Sequence, residues 1–275
     1  MPLADPSDFV LFALALLLTG CFSGFLAGLL GVGGGIVVVP VLFQIFTSLD
    51  VADAVRMHLA VGTSLATIIV TSLASVRAHW RRGAVDLDLL RRWGPGIFVG
   101  VVAGTIVAGF VDGAVLTAVF AVVALVVALN MALARPSFRL AERVPHGLAA
   151  TPIPLGIGFV STLMGIGGGT LSVPILSLCG YPIHRAVGTA SAVGFIIGVP
   201  GAIGFVIGGW GEAGLPPGSL GYVSLIGLGL ILPTSMLFAP LGARAAHALP
   251  VRGLKRVFAF FLAVTAIRMG FAVLA

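Results

Sequence analysis

The chain has 275 residues, 59% of them hydrophobic and only 9% charged, with a formal net charge of +6. That composition lies far outside the averages for soluble domains, and apolar runs of about 20 residues recur along it, the mark of a polytopic α-helical membrane protein. Twelve of the fifteen Arg and Lys residues sit in three short stretches rather than on one basic face, so the positive charge fixes an orientation in the bilayer and argues against a nucleic-acid partner.

In chain order, the first element is too long for one span. No charge falls between Asp8 and Asp50. As a single helix this stretch would run about 60 Å against a hydrocarbon core of about 30 Å. Gly33-Gly34-Gly35 lies inside it, and each glycine costs a helix about 1 kcal/mol relative to Ala. The sequence therefore predicts a break at Gly31–Gly35 and a second, shorter helix starting near Pro40, because proline suits a first turn. Ahead of the break, Gly20, Gly24 and Gly28 recur every four residues, the form of a close helix–helix contact. Leu18-Thr-Gly-Cys21 mimics a lipoprotein cleavage box, but no basic residue precedes it, so it is read as chance. Cys21 and Cys179 form no spaced motif and read as small buried hydrophobes.

Spans over 58–76, 93–111 and 115–134 follow. A second uncharged opener over 147–183 should break at Gly165–Gly169 and restart near Pro174. Spans over 186–208, 219–243 and 254–274 complete the chain. The two openers are copies of each other. Gly24-Phe-Leu-Ala-Gly-Leu-Leu-Gly-Val-Gly-Gly-Gly-Ile-Val-Val-Val-Pro40 returns as Gly158-Phe-Val-Ser-Thr-Leu-Met-Gly-Ile-Gly-Gly-Gly-Thr-Leu-Ser-Val-Pro174, and Ala60-Val-Gly-Thr-Ser-Leu-Ala66 as Ala186-Val-Gly-Thr-Ala-Ser-Ala192. The expected fold is all-α, with two repeats of about five helices each, one of them broken. Residues 1–134 form the first repeat, 135–146 a basic cytoplasmic linker and 147–275 the second repeat.

The basic stretches are 77–92, 135–146 and 244–256. The turns around Asp112 and Glu212 contain no Lys or Arg. Repeat alignment pairs 77–92 with 209–218, which has no Lys or Arg, and 244–256 with the turn at Asp112, which has none either. Charge has changed sides between equivalent loops, so the two repeats should be inverted in the membrane, with both termini outside.

Unwound backbone at membrane depth is tolerated where protein buries it or where it lines a cavity. The glycine triplets Gly33, Gly34, Gly35 and Gly167, Gly168, Gly169 would present amide N–H groups there, and the following half-helices add positive N-terminal dipole ends. Two such ends converging near the midplane suit an anion. Thr63 and Ser64, with Thr170, Thr189 and Ser191, supply hydroxyls that either donate to a bound oxyanion or bond to the carbonyl one turn back. Arg56 and His58 in one half, and His184 and Arg185 in the other, fall near the two mouths. There they either attract anions and gate the path, or snorkel toward headgroups. Every acidic residue falls in a loop, a terminus or at a span end, which argues against a cation substrate. No nucleophile–base arrangement, metal motif or dinucleotide loop is present, so neither an enzyme nor a cofactor is expected.

The doubled Gly-[Val/Ile]-Gly-Gly-Gly-x4-Pro motif, each copy followed by Ala-Val-Gly-Thr-[Ser/Ala], resembles the TauE/SafE sulfite exporter family of anion permeases from about Phe9 to Phe271. Carried onto this chain, the family pattern falls on Gly31, Gly33–Gly35, Pro40 and Gly62-Thr63-Ser64, and on Gly165, Gly167–Gly169, Pro174 and Gly188-Thr189. The resemblance implies bacterial inner-membrane transport of sulfur-containing anions such as sulfite, sulfoacetate or other organosulfonates. The expected partners are that small anion and the lipid bilayer. The coupling ion, proton or sodium, and the oligomeric state stay open. An anion channel with a fixed pore, or a permease for a different small anion, is the alternative to alternating access.

Overall fold

The computed structural model describes residues 6–133, 151–248 and 252–274. The basic linker over 135–146 lies outside them. Ten helices occur among the described residues: α1 (Pro6–Leu30), α2 (Gly35–Ser48), α3 (Asp53–Trp80), α4 (Leu87–Ala108), α5 (Gly113–Leu133), α6 (Pro152–Met164), α7 (Gly169–Leu178), α8 (Ile183–Gly208), α9 (Leu225–Ala248) and α10 (Arg252–Leu274). The only strands among these residues are β1 (Ser219–Leu220) and β2 (Val223–Ser224), a two-residue antiparallel hairpin ahead of α9. The fold is all-α, and five helices are long and apolar enough to cross a membrane.

Both openers break where glycine propensity says they should. Helix α1 ends at Leu30 and α2 begins at Gly35, while α6 ends at Met164 and α7 begins at Gly169. Neither half-helix waits for its proline. Pro40 and Pro174 lie inside α2 and α7, in the second turn of each. The expected restart is corrected on this point: the chain re-enters helical geometry as soon as the left-handed glycines have turned it, and each proline then forgoes one backbone bond. At 14 and 10 residues, α2 and α7 are about 21 and 15 Å long, half a bilayer core or a little more.

Packing follows an exchange rule. Helix α1 lies along α9 as α6 lies along α4; α3 crosses α8, α5 pairs with α10, and α2 and α7 rest on α3 and α8. Swapping the two sets of five helices exchanges α1–α9 with α6–α4 and α2–α3 with α7–α8, and returns α3–α8 and α5–α10 to themselves. The Gly20, Gly24, Gly28 stripe is the seam of the α1–α9 contact, where a side chain at Gly24 or Gly28 would run into the Ser235 or Ala239 carbonyl. Without a hydrophobic drive between helices in lipid, such close backbone contact is what holds them together. Large apolar side chains cover the outside, among them Leu18, Val99, Val126, Ile207, Leu237 and Phe271. Buried hydroxyls and two imidazoles, from Ser23 and His58 to Ser235, are turned inward.

Candidate functional site

The two glycine loops meet backbone to backbone. A Cβ built on Gly33 would lie 3.0 Å from the Cα of Gly167. A side chain at Gly35 would collide with the Gly165 carbonyl, and one at Gly169 with the Gly31 carbonyl, so the crossing exchanges like the helix pairs. All residues of both loops are buried. No side chain caps α2 or α7; the Val37 amide donates to the Gly34 carbonyl at 3.0 Å and the Thr170 amide to the Gly167 carbonyl at 3.4 Å, each within its own loop. The two loops differ at two points: Gly33 has a positive φ of 76° where its counterpart Gly167 does not, and the next pair differs as well. Gly34 is left-handed (φ 78°) and faces the Ser23 carbonyl, whereas Gly168 is right-handed (φ −56°) and faces Val193.

Helix α3 runs past both loops with polar side chains at three- and four-residue intervals, which places them on one face. Ser64 Oγ donates to the Gly165 carbonyl at 2.6 Å, and Thr71 Oγ1 donates to the Gly33 carbonyl at 3.2 Å. Thr67 Oγ1 bonds back to the Ser64 carbonyl at 2.7 Å. Ser75 Oγ lies 2.9 Å from Ser191 Oγ of α8, and His79 Nε2 lies 2.9 Å from the Gly28 carbonyl. The counterpart of Ser64 is Ala190, so α8 makes no matching bond. Four buried hydroxyls, those of Ser72, Ser161, Thr170 and, in the hairpin ahead of α9, Ser219, have no partner among the described residues. Unsatisfied buried hydroxyls carry a desolvation cost that a bound acceptor would remove.

The Gly-Thr pairs serve a second purpose. Thr63 Oγ1 donates to the Leu59 carbonyl and accepts the Ser224 N–H at 2.8 Å. Thr189 Oγ1 accepts the Asp86 N–H at 2.9 Å. A side chain at Gly62 would strike the Tyr222 carbonyl, and one at Gly188 the Ala84 carbonyl. Each of α3 and α8 thus clasps the segment that leads into the fourth helix of the other set. Asp86 of one clasp precedes the 22-residue α4, about 33 Å long; at its other end the Ala108 carbonyl lies 3.0 Å from His58, whose ring is 4.9 Å from that of Tyr222 in the other clasp.

The cations at these ends are engaged. Arg56 donates from Nε and Nη2 to the Val51 carbonyl at 3.1 and 2.7 Å, and its Nη1 lies 2.6 Å from Asp53 Oδ1. Arg185 Nη2 lies 2.9 Å from Asp86 Oδ2, and the Tyr181 hydroxyl donates to the same oxygen. Asp86 Oδ1 caps α4 by accepting from the Asp88 and Leu89 amides at 3.0 Å each. Burial by itself would raise the Asp86 carboxyl; the Tyr181 hydroxyl, the Leu89 amide, Arg185 and the Asp88 amide outweigh it and hold it below its ordinary value. Burial, and then the bond and charge of Asp86, push the Tyr181 hydroxyl well up. At the other end, His58 is buried with Nε2 3.0 Å from the Ala108 carbonyl and its ring 4.9 Å from that of Tyr222. His184 is exposed.

The structure therefore gathers Gly33, Gly34, Gly35, Gly167, Gly168 and Gly169 at one crossing and brings Ser64 to it. Thr63 and Thr189 go to the clasps, and Ser191 joins Ser75 on the α3–α8 face. Sequence reasoning missed Thr67, Thr71, Ser72, Ser75 and His79, whose spacing within an apolar span was the available signal. It also missed Tyr181 and Asp86, for which no local signal exists. Among the described residues no three His, Cys, Asp or Glu side chains come together to hold a metal ion.

A helical membrane protein with two crossed, glycine-broken openers and donor-rich, acid-free polar groups at the crossing is the class defined so far. The family model of the sulfite exporter TauE/SafE matches residues 16–269, and the chain belongs to that family, one of membrane transporters rather than enzymes. It is 36% identical to a probable membrane transporter protein of Haemophilus influenzae over 94% of this chain and 98% of the relative. It is 28% identical to a probable membrane transporter protein of Methanocaldococcus jannaschii, over 69% of this chain and 70% of that one. A Bacillus subtilis probable membrane transporter protein is also 28% identical, covering 66% and 73%. No solved structure matches the chain.

Proposed function

We propose that this protein is a secondary transporter that moves small sulfur-containing oxyanions, such as sulfite, sulfoacetate or other organosulfonates, across the bacterial inner membrane by alternating access. Residues 1–134 and 147–275 act as two inverted repeats joined by the 135–146 linker, with both termini periplasmic. The observation that carries the reading is the crossing of the two glycine loops, where α2 and α7 begin without side-chain caps and the Thr170 hydroxyl, in the first turn of α7, is buried without a partner among the described residues. A sulfonate offers three oxygens to N–H and O–H donors, and as a monoanion it is cheaper to desolvate than a dianion. Gly33–Gly35 and Gly167–Gly169 hold it, with Ser64 and Thr170 as the nearest hydroxyls. Thr63, Thr189 and Ser191 act on the clasps and the α3–α8 face around it.

The clasps support alternating access over a fixed pore. Each ties one repeat to the other at one end of α4, so releasing one while the other holds would open a single face. Arg56 and Arg185 shape these ends through their acid partners, and His58 and His184 lie beside them. The test is uptake of sulfite, sulfoacetate, taurine and sulfate into proteoliposomes holding the purified protein. Saturable uptake of the first two, well above that of zwitterionic taurine, is expected. Unitary currents without saturation would instead establish the channel.

A further inference from the structure

We infer that His58 is the proton-binding site that couples this transporter to a pH gradient, and that its protonation releases the clasp at its end of α4. The inference rests on the transport reading above but stands on separate contacts. A carbonyl oxygen only accepts, so the 3.0 Å contact with Ala108 makes Nε2 the nitrogen that carries the hydrogen. Nδ1 is then a bare lone pair, buried and without a partner among the described residues. Ala108 is the last residue of α4, so the ring is held at that helix's C-terminal end. Nδ1 is thus the one atom of the buried ring where a proton can add. With the clasp closed it has no acceptor for the second N–H that the proton creates.

That mismatch links the proton to the clasp. The imidazole faces Tyr222 at 4.9 Å and Phe205 at 6.5 Å. Tyr222 belongs to the segment that Gly62 and Thr63 hold. A protonated His58 favours the arrangement in which this segment moves away and Nδ1–H meets water or the anion, and a proton shifts the equilibrium by that difference in affinity. The titratable and charged groups on the surrounding elements are few. On α3, Asp53 and Arg56 pair with each other at 2.6 Å. Asp112 lies in the α4–α5 turn beside Gly113, which approaches the Asp53 carbonyl. In the α8–α9 connection, burial and then the charge of Glu212 push the Tyr222 hydroxyl up, so it stays protonated. The opposite clasp is closed by Asp86, Tyr181 and Arg185. The Asp86 carboxyl is held below its ordinary value, so that clasp keeps its charges through the range in which an imidazole titrates. One end responds to protons and the other does not.

Val61 lies between the His58 clasp and Gly165 of the crossing and is fully buried. The test is the rate at which a methanethiosulfonate reagent labels Val61→Cys in detergent, in a background with Cys21 and Cys179 changed to Ser. Rates are normalised to an exposed Glu212→Cys control to remove the thiol's own pH dependence. Normalised labelling should be at least about tenfold faster near pH 5.5 than near pH 8, the change produced by about one unit of differential proton affinity. His58→Gln, which keeps a donor for Ala108 but cannot titrate, should make the rate pH-independent. Accumulation of sulfite or sulfoacetate under an acid-outside gradient should fall at least about tenfold in the same variant. A pH-independent rate with His58 intact, or a pH dependence that survives His58→Gln, overturns the proposal. If neither probe anion is moved with His58 intact, the transport reading fails while the labelling result still decides the proton site.

Discussion

Ser64 Oγ donates to the carbonyl of Gly165 at 2.6 Å, joining α3 of the first set of helices to the broken backbone of the second across 101 residues of sequence. The equivalent position, Ala190, cannot make the reciprocal bond, so this is a one-sided lock. Ser64→Ala leaves a buried carbonyl without its donor. It should lower the stability of the purified protein by about 1–2 kcal/mol, read as a fall in thermal unfolding temperature in detergent. A variant as stable as the parent would mean that the Gly165 carbonyl has another donor.

Gly34 and Gly168 occupy matching places with different backbone geometry, and their alanine variants should fail for different reasons. At Gly34 the positive φ costs an L-residue roughly 1–2 kcal/mol, and the new Cβ would lie 2.7 Å from the Ser23 carbonyl. At Gly168 the backbone accepts alanine, but the Cβ strikes the Val193 side chain. Sulfoacetate uptake should drop at least about tenfold in both, equivalent to 1.4 kcal/mol or more. Val193→Ala should restore Gly168→Ala in part. No single side-chain truncation should restore Gly34→Ala, because backbone obstructs it. Rescue of both, or of neither, would contradict this distinction.

The breaks at Gly31–Gly35 and Gly165–Gly169 were legible because they are local. Three glycines in an apolar run too long for one span leave a helix little alternative. The five-plus-five order and the packing stripe of Gly20, Gly24 and Gly28 follow from spacing in the same way. The restart points were misread because Pro40 and Pro174 suit a first turn, whereas the turn is already complete at Gly35 and Gly169. Arg56 and Arg185 read from the sequence as cations at the two mouths, attracting anions or snorkelling, with no partner in view. Their acid partners Asp53 and Asp86 are set by a turn in one case and by a contact 99 residues away in the other. The different roles of Gly34 and Gly168 arise from tertiary packing alone, since the two triplets are identical in sequence.

Asp86 should confer a pH dependence of a definite sign. Its folded carboxyl is held below the ordinary value of 3.8, so its contribution is present in full above about pH 4 and is lost as pH falls through the lower folded value. Between neutrality and pH 4 it gives no change. Asp86→Asn retains the cap oxygen but weakens the bonds to Tyr181 and Arg185, and should cost about 1 kcal/mol at pH 7. Arg185 is half exposed, so Arg185→Gln should cost less, in the range of surface ion pairs. Thermal unfolding of the three proteins at neutral pH checks the order. Equal losses would mean that the ion pair, rather than the tyrosine bond, dominates.

The proposed inversion of the two repeats predicts which loops are cytoplasmic. In the background without native cysteines, Arg81→Cys should be shielded from an impermeant thiol reagent in intact cells, and Ala213→Cys should react. Both positions are exposed on the folded protein, so any difference reports the side of the membrane. Labelling of Arg81→Cys from outside would overturn the inversion and with it the periplasmic termini.

Counterflow tests the central claim most directly. Proteoliposomes preloaded with unlabelled sulfoacetate, and a parallel set preloaded with sulfite, are diluted into a trace of the same labelled anion. A carrier whose site is reached from one face at a time should accumulate label transiently above equilibrium for at least one of the two. The overshoot should be absent in Gly168→Ala. Flux of both anions without an overshoot, or an overshoot equally large with zwitterionic taurine, would contradict an alternating-access anion transporter built on the crossed glycine loops.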